Sequence, residues 1–72
     1  MTFIDFTVYT SGDYVSAYLY MEFPGGKSIG HHVEKDDVCR ELALLQGLLG
    51  KTAEKRAYSS GAVEYEIYGH IG

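Results

Sequence analysis

Tyr14-Val15-Ser16-Ala17-Tyr18-Leu19-Tyr20-Met21-Glu22-Phe23 decides the fold. Its odd positions, Val15, Ala17, Leu19, Met21 and Phe23, form an unbroken apolar row. Its even positions, Tyr14, Ser16, Tyr18, Tyr20 and Glu22, are phenols and small polar groups ending in a carboxylate. Successive side chains of a strand point to opposite faces, so this is one strand with an aliphatic side and a tyrosine side. The first segment repeats the pattern, with Phe3, Asp5, Thr7 and Tyr9 opposite Ile4, Phe6 and Val8. So does the last, with Glu64, Glu66, Tyr68 and His70 opposite Val63, Tyr65, Ile67 and Ile71.

Working outward, a first strand is expected from about Thr2 to Thr10, closed by a Ser11-Gly12-Asp13 turn of residue types that tolerate tight geometry. Tyr14 to Phe23 follows, then Pro24-Gly25-Gly26, where proline presets φ and glycine accepts positive φ. Lys27 to Val33 reads as a weaker third strand with Ile29 and Val33 inward. Glu34, Asp36 and Asp37 place negative charge where a helix N-terminus favours it. Val38, Leu42, Leu45 and Leu49 then recur at helical spacing, and Leu44 and Leu48 widen the stripe. Gly50 is the expected stop. Lys51 to Ala62 is ambiguous and fits a second helical turn or two ending at Tyr58, then a Ser59-Ser60-Gly61 loop; the final strand is Ala62 to Ile71. The expected fold is α+β, an antiparallel hairpin sheet with one packed helix in the order β-β-β-α-β. One helix covers one sheet face, so the tyrosine-rich, acidic face is expected to stay open.

Seventy-two residues make a single domain, 1–72. At that size a core supplies only about 3–5 kcal/mol net. Cys39 is the sole cysteine, which excludes an intramolecular disulfide and a cysteine zinc cluster and suits a reducing cytoplasm. The opening MTFIDFTVYT has no basic stretch and carries Asp5 within its apolar pattern, unlike a secretory signal. No apolar run approaches the roughly 20 residues of a membrane span, so a soluble cytoplasmic protein is expected. Six Lys and Arg against ten Asp and Glu give a net charge of −4, the wrong sign for a phosphate-neutralising nucleic-acid binder. The charges separate along the chain: Lys51, Lys55 and Arg56 follow the helix, while Asp5, Glu22, Glu64 and Glu66 belong to the outer sheet face. That face suits a basic protein surface.

Individual candidates for chemistry resolve into ordinary roles. His31 and His32 are adjacent and face opposite ways on a strand, and only His32 and His70 could share the outer face; no metal or cofactor is expected. Cys39 has no histidine at a catalytic spacing and reads as a small buried hydrophobe. Gly26-Lys27-Ser28 resembles the end of a phosphate-binding loop, but it joins two strands and Met21 stands where the earlier glycine is required. The tyrosines remain. Tyr9, Tyr14, Tyr18, Tyr20 and Tyr68 share a face with Glu22, Glu64, Glu66 and His70. Phenols combine large contact area with a hydrogen-bonding tip and small entropy loss, as interface anchors require.

The order β-β-β-α-β, the YTSGD after the first strand, the helix RELALLQGLL and the closing EIYGH are similar to the first half of a ribonuclease H-like domain. That resemblance implies clustered carboxylates holding two divalent metals for phosphodiester hydrolysis. Here Ser11 stands at the position of the first aspartate, Gly69 or His70 at the fourth-strand aspartate, and only Glu41 matches. The resemblance therefore implies a domain without the active centre. GDYVSAYLYMEFPGGKSIGHHVEKDD also resembles HicB-type antitoxins in its strand, proline-glycine turn, third strand and acidic helix start. Their usual cysteine after proline-glycine is replaced by Gly26, and their DNA-binding segment after this domain has no counterpart up to Gly72.

The expected function is that of a non-enzymatic inhibitor or adaptor binding another protein through the tyrosine-acid face, or through an exposed strand edge. Size and charge are analogous to phage counter-defence proteins such as anti-CRISPRs, which cover a basic functional surface. The alternatives are an antitoxin-like domain that neutralises a small toxin, and a minimal nucleic-acid-binding or nuclease-like domain. A homodimer is expected when the partner is absent, because a strand edge and the outer face stay uncovered.

Overall fold

Gly12 sets the first hairpin. It takes φ 59°, the left-handed sense that a two-residue loop demands at its first position. Ser11 and Tyr14 can therefore pair directly. The computed structural model describes Met1–Gly72, and in it this hairpin joins β1 (Thr2–Ser11) to β2 (Tyr14–Glu22). After the Pro24-Gly25-Gly26 turn, with both glycines at positive φ, β3 (Ser28–His32) returns along β2. A 3₁₀ turn at Lys35–Asp37 leads into α1 (Val38–Leu49), then β4 (Glu54–Ala57) and β5 (Val63–Ile71). All pairings are antiparallel, and the strands lie in the order β3-β2-β1-β5-β4. The class is the expected α+β, one antiparallel sheet with one helix.

One strand more is present than the expected β-β-β-α-β order. In place of the expected helical turn or two ending at Tyr58, the chain forms β4, paired Glu54↔Glu66 to Ala57↔Val63. The helix ends first: Gly50 turns left-handed at φ 68° and donates its N–H to the Gln46 carbonyl at 2.9 Å. Gln46 then accepts the Ala53 N–H through Oε1 at 3.1 Å, tying the chain leaving the helix back to it. Tyr58 N–H to Ala62 carbonyl, 2.9 Å, and Gly61 N–H to Tyr58 carbonyl, 3.0 Å, close the β4–β5 hairpin. The strand is held by its partner and its turn, because all four of its residues are exposed.

The core is the aliphatic row of the sheet under one stripe of α1. Ile4, Phe6, Val8, Ala17, Leu19, Val38, Leu45 and Ile67 form it, with Phe6 wholly buried. At 1.5 Å per residue the twelve-residue helix is only about 18 Å long, whereas the ten-residue β1 runs to about 33 Å. The inner face is therefore covered in part. Beyond the start of the helix a groove of about 460 Å³ remains between Val8, Thr10, Val15, Val38, Leu42 and Tyr65, with Lys35 and Cys39 at its lining.

Three expectations about side chains are corrected by this geometry. Leu44 and Leu48 do not widen the buried stripe but stand 56% and 61% exposed. A 100° turn per residue carries them off the narrow contact made by Val38, Leu42, Leu45 and Leu49. Cys39 is exposed, one position round the helix from buried Val38. Ile29 has the inward parity but no helix above it, and is 46% exposed.

The contrast along the helix is testable. Leu45→Ala should destabilise by about 2–5 kcal/mol, as truncation of a core leucine does. Leu48→Ala should stay within about 0.5 kcal/mol of the parent. Chemical denaturation of both checks it, and equal losses would mean that the helix packs on a different face.

Candidate functional site: the open sheet face

The antiparallel register arranges the outer side chains in rows across the sheet. One row reads Ser28, Glu22, Phe3, His70; the next Gly30, Tyr20, Asp5, Tyr68. A third reads His32, Tyr18, Thr7, Glu66, Glu54, and a fourth Ser16, Tyr9, Glu64, Arg56. Tyr14 lies beyond them, opposite Ser11. Thus Tyr9, Tyr14, Tyr18, Tyr20, Glu22, Glu64, Glu66, Tyr68 and His70 are all brought to one surface. Of the seven tyrosines, Tyr65 alone packs against the core cluster.

The aromatic rings hold one another in place. Phe3 packs between Tyr20 at 6.4 Å and His70 at 5.2 Å, centroid to centroid. Tyr9 meets Tyr14 edge-on at 6.3 Å, and Tyr18 meets His32 at 5.2 Å. These separations are in the range where edge-to-face aromatic contacts are favourable. Tyr18 lies over Gly30: a Cβ added there would come within 2.8 Å of the ring carbon bearing the hydroxyl. Glycine at this position lets the ring lie flat on the neighbouring strand. Lys51 Nζ stands 4.8 Å from the centre of the Tyr68 ring, a cation–π contact reaching from the helix end. Tyr14, Tyr18 and Tyr68 remain exposed.

The carboxylates divide into three kinds. Glu22 accepts the Tyr20 hydroxyl at 3.0 Å, and that hydrogen bond, with burial second, raises the Tyr20 phenol above its ordinary pKa. Glu64 is bracketed by Arg56 at 3.4 Å and by the Tyr58 hydroxyl at 3.1 Å. Glu66 lies beside Asp5 and directly opposite Glu54. Its hydrogen bond with Asp5 is the main cause holding its carboxyl above the usual range; burial and the charges of Asp5, Glu54 and Glu64 act the same way. Asp5 Oδ1 is buried without a partner, and a proton on Glu66 would offer Asp5 a donor.

The separation of basic and acidic segments expected from the chain order does not survive folding. β4 carries Arg56 onto the acidic face against Glu64, sends Lys55 to the opposite face, and adds Glu54. Glu54, Arg56 and Tyr58 are the site residues that sequence reasoning missed. The signal was available in the alternation from Glu54 to Tyr58 and the Ser-Ser-Gly turn behind it, but no apolar face marked it as a strand.

The positions matched to the ribonuclease H-like centre are not brought together. His70 is paired with Phe3 and Ser11 lies at the far end of β1, roughly 26 Å away at 3.3 Å per residue. Gly69 faces the helix side, where a Cβ would meet Leu49 at 3.1 Å. His32 and His70 are three strands apart and in rows four residues apart along β1, roughly 20 Å in all. No three His, Cys, Asp or Glu side chains are placed to hold a metal ion. The one depression on this face, lined by Glu54, Lys55, Arg56, Glu64 and Glu66, measures only about 50 Å³, and no helix is long and apolar enough to cross a membrane.

The Asp5–Glu66 pair has a pH signature. The folded carboxyl of Glu66 keeps its proton to higher pH than the unfolded one, so the native state binds more protons in the interval above 4.5. The contribution of this group favours folding below that interval and is lost as pH rises through the folded pKa. Glu66→Gln, which keeps a donor for Asp5 at every pH, should raise the thermal midpoint at pH 7 and flatten that part of the stability profile. A midpoint at pH 7 equal to or below the parent's would refute the shared proton.

No family model, curated protein or solved structure matches this chain.

Proposed function

We propose that this protein is a non-enzymatic inhibitor or adaptor that covers a basic surface of another protein with its tyrosine-acid sheet face. The observation that carries the reading is the one-sided cover of the sheet. With the helix on one face, the other presents Tyr9, Tyr14, Tyr18, Tyr20 and Tyr68 on a rigid, mutually packed platform. Pre-ordered rings lose little entropy on binding. Around them stand Asp5, Glu22, Glu54, Glu64 and Glu66 against the single guanidinium of Arg56. Such a field attracts lysine and arginine and repels phosphate, which disfavours base stacking on the same rings. A masking role of this kind is analogous to phage counter-defence, in a reducing cytoplasm that tolerates the exposed Cys39 thiol.

Affinity capture from host lysate, followed by mass spectrometry, identifies the partner. Against it, Tyr18→Ala with Tyr20→Ala should weaken binding by about 2 kcal/mol or more while the fold persists, because neither side chain enters the aliphatic core. Charge reversal at the exposed Glu22 and Glu54 should mainly slow association and flatten its salt dependence. Full binding by a folded double tyrosine variant would move the functional surface elsewhere. The non-enzymatic half of the reading is checked separately. No hydrolysis of an RNA–DNA hybrid is expected with Mg²⁺ or Mn²⁺, and turnover abolished by Glu41→Gln would overturn it.

A further inference from the structure

The two outer strands of the sheet end in different ways. β4 exposes Glu54, Lys55 and Arg56 along its free edge, the charged guard that prevents edge-to-edge pairing. Where β5 runs on past β4, Lys51 reaches across Tyr68. The opposite edge, β3, is Ser28-Ile29-Gly30-His31-His32, with no Asp, Glu, Lys, Arg or proline, and every residue is exposed.

Its free backbone groups can be identified. Phe23 N–H donates to the Lys27 carbonyl at 2.7 Å and Val33 N–H to the Ala17 carbonyl at 2.9 Å. With the register Leu19↔His31 and Met21↔Ile29, the alternation of an antiparallel ladder turns Ile29 and His31 towards β2. The N–H and C=O groups of Ser28, Gly30 and His32 therefore point outward. Within the chain, only the His32 carbonyl has a further neighbour, His31 Nδ1 at 3.0 Å.

We propose that this edge pairs with the β3 edge of a second copy, antiparallel about a two-fold axis through Gly30. Gly30 then exchanges both bonds with its equivalent, and Ser28 does so with His32 of the other copy. The strand is self-complementary in that register: an uncharged residue opposes an uncharged residue throughout, in a chain whose net charge of −4 opposes less specific association. Gly30 suits the centre, because the Tyr18 ring of each copy already occupies the space beside it and no side chain competes. The charged far edge stops assembly at two copies, as an isologous contact requires. The proposal rests on backbone geometry and edge charge, independently of the partner suggested for the tyrosine face.

Amide exchange followed by NMR, with light scattering on the same full-length sample, decides it. Ser28, Gly30 and His32 amides are expected to exchange at least about tenfold more slowly at high micromolar than at low micromolar concentration. The high-concentration sample should have twice the 8.0 kDa chain mass. Ser28→Pro removes an outward N–H without touching the β2 ladder, and Ile29→Lys places a charge on the edge. Each should weaken dimerisation at least about tenfold, with protection of the Ile29-position and His31 amides reporting an intact β3. A mass of 8.0 kDa at high micromolar concentration would overturn the proposal, as would fast exchange at Ser28, Gly30 and His32 in a dimer. A dimer undiminished in both variants would do the same by placing the contact elsewhere. Should a variant lose β3 altogether, the wild-type exchange pattern alone decides between dimer edge and free edge.

Discussion

A single twelve-residue helix can cover one face of a five-stranded sheet, and not all of that. This constraint governs everything else. It confines the core to the row through Ile4, Phe6 and Val8 and their neighbours Ala17, Leu19 and Ile67, leaving nine residues buried. It also leaves the second face without a covering layer. There the side chains must stabilise one another laterally. The Phe3, Tyr20 and His70 cluster and the Tyr18–His32 contact do so, each such contact contributing roughly 0.5–1.5 kcal/mol beyond burial.

The same face holds a conflict that stability alone does not explain. Glu54 and Glu66 are direct cross-strand neighbours, and Glu66 also lies against Asp5. Like charges in that relation oppose folding, and a domain with about 3–5 kcal/mol to spare has little room for them. Proteins tolerate such local violations where a surface is used for something else. The raised Glu66 carboxyl and the orphaned Asp5 oxygen mark the spot. A lysine or arginine from a partner arriving there would relieve both at once, so the strain and the proposed binding chemistry point the same way.

Much of the fold was legible because alternation is a strong signal where one face is apolar. The β1 and β2 rows and the Gly50 helix stop could be read from side-chain type, whereas the register that puts Tyr20 beside Asp5 follows from Ser11 joining β1 and leaving a two-residue Gly12-Asp13 loop in place of the expected three-residue turn. β4 could not. Glu54-Lys55-Arg56-Ala57 has no buried residue, so its extended state comes from pairing with β5 and from the Tyr58–Ala62 turn, which are long-range facts. Without that strand Arg56 was misplaced, since it belongs beside Glu64 and not in a separate basic patch. Leu44 and Leu48 misled for the converse reason. Helical spacing reports which residues share a face, but the width of the contact is set by how a short helix crosses the sheet. The same limit turned Cys39 outward.

Edge chemistry links the two faces to assembly. A two-fold axis through Gly30 stands perpendicular to the sheet, because paired residues of neighbouring strands project to the same side. In a β3-paired dimer both tyrosine faces would therefore look the same way. Tyr18, Tyr20 and His32 of each copy would then flank the axis in one continuous aromatic band. Glu54, Glu64 and Glu66 lie on the β4 side of the central β1 strand, so most of the acidic field, Glu22 on β2 excepted, would sit towards the two outer ends, where mutual repulsion is weakest. Such a surface would engage an extended basic target bivalently. The second contact then forms at the effective concentration set by the first, so affinity rises without any new kind of interaction. An unguarded edge on a small acidic domain is thus compatible with a defined assembly, because charge placement lets the sheet grow once and in one direction.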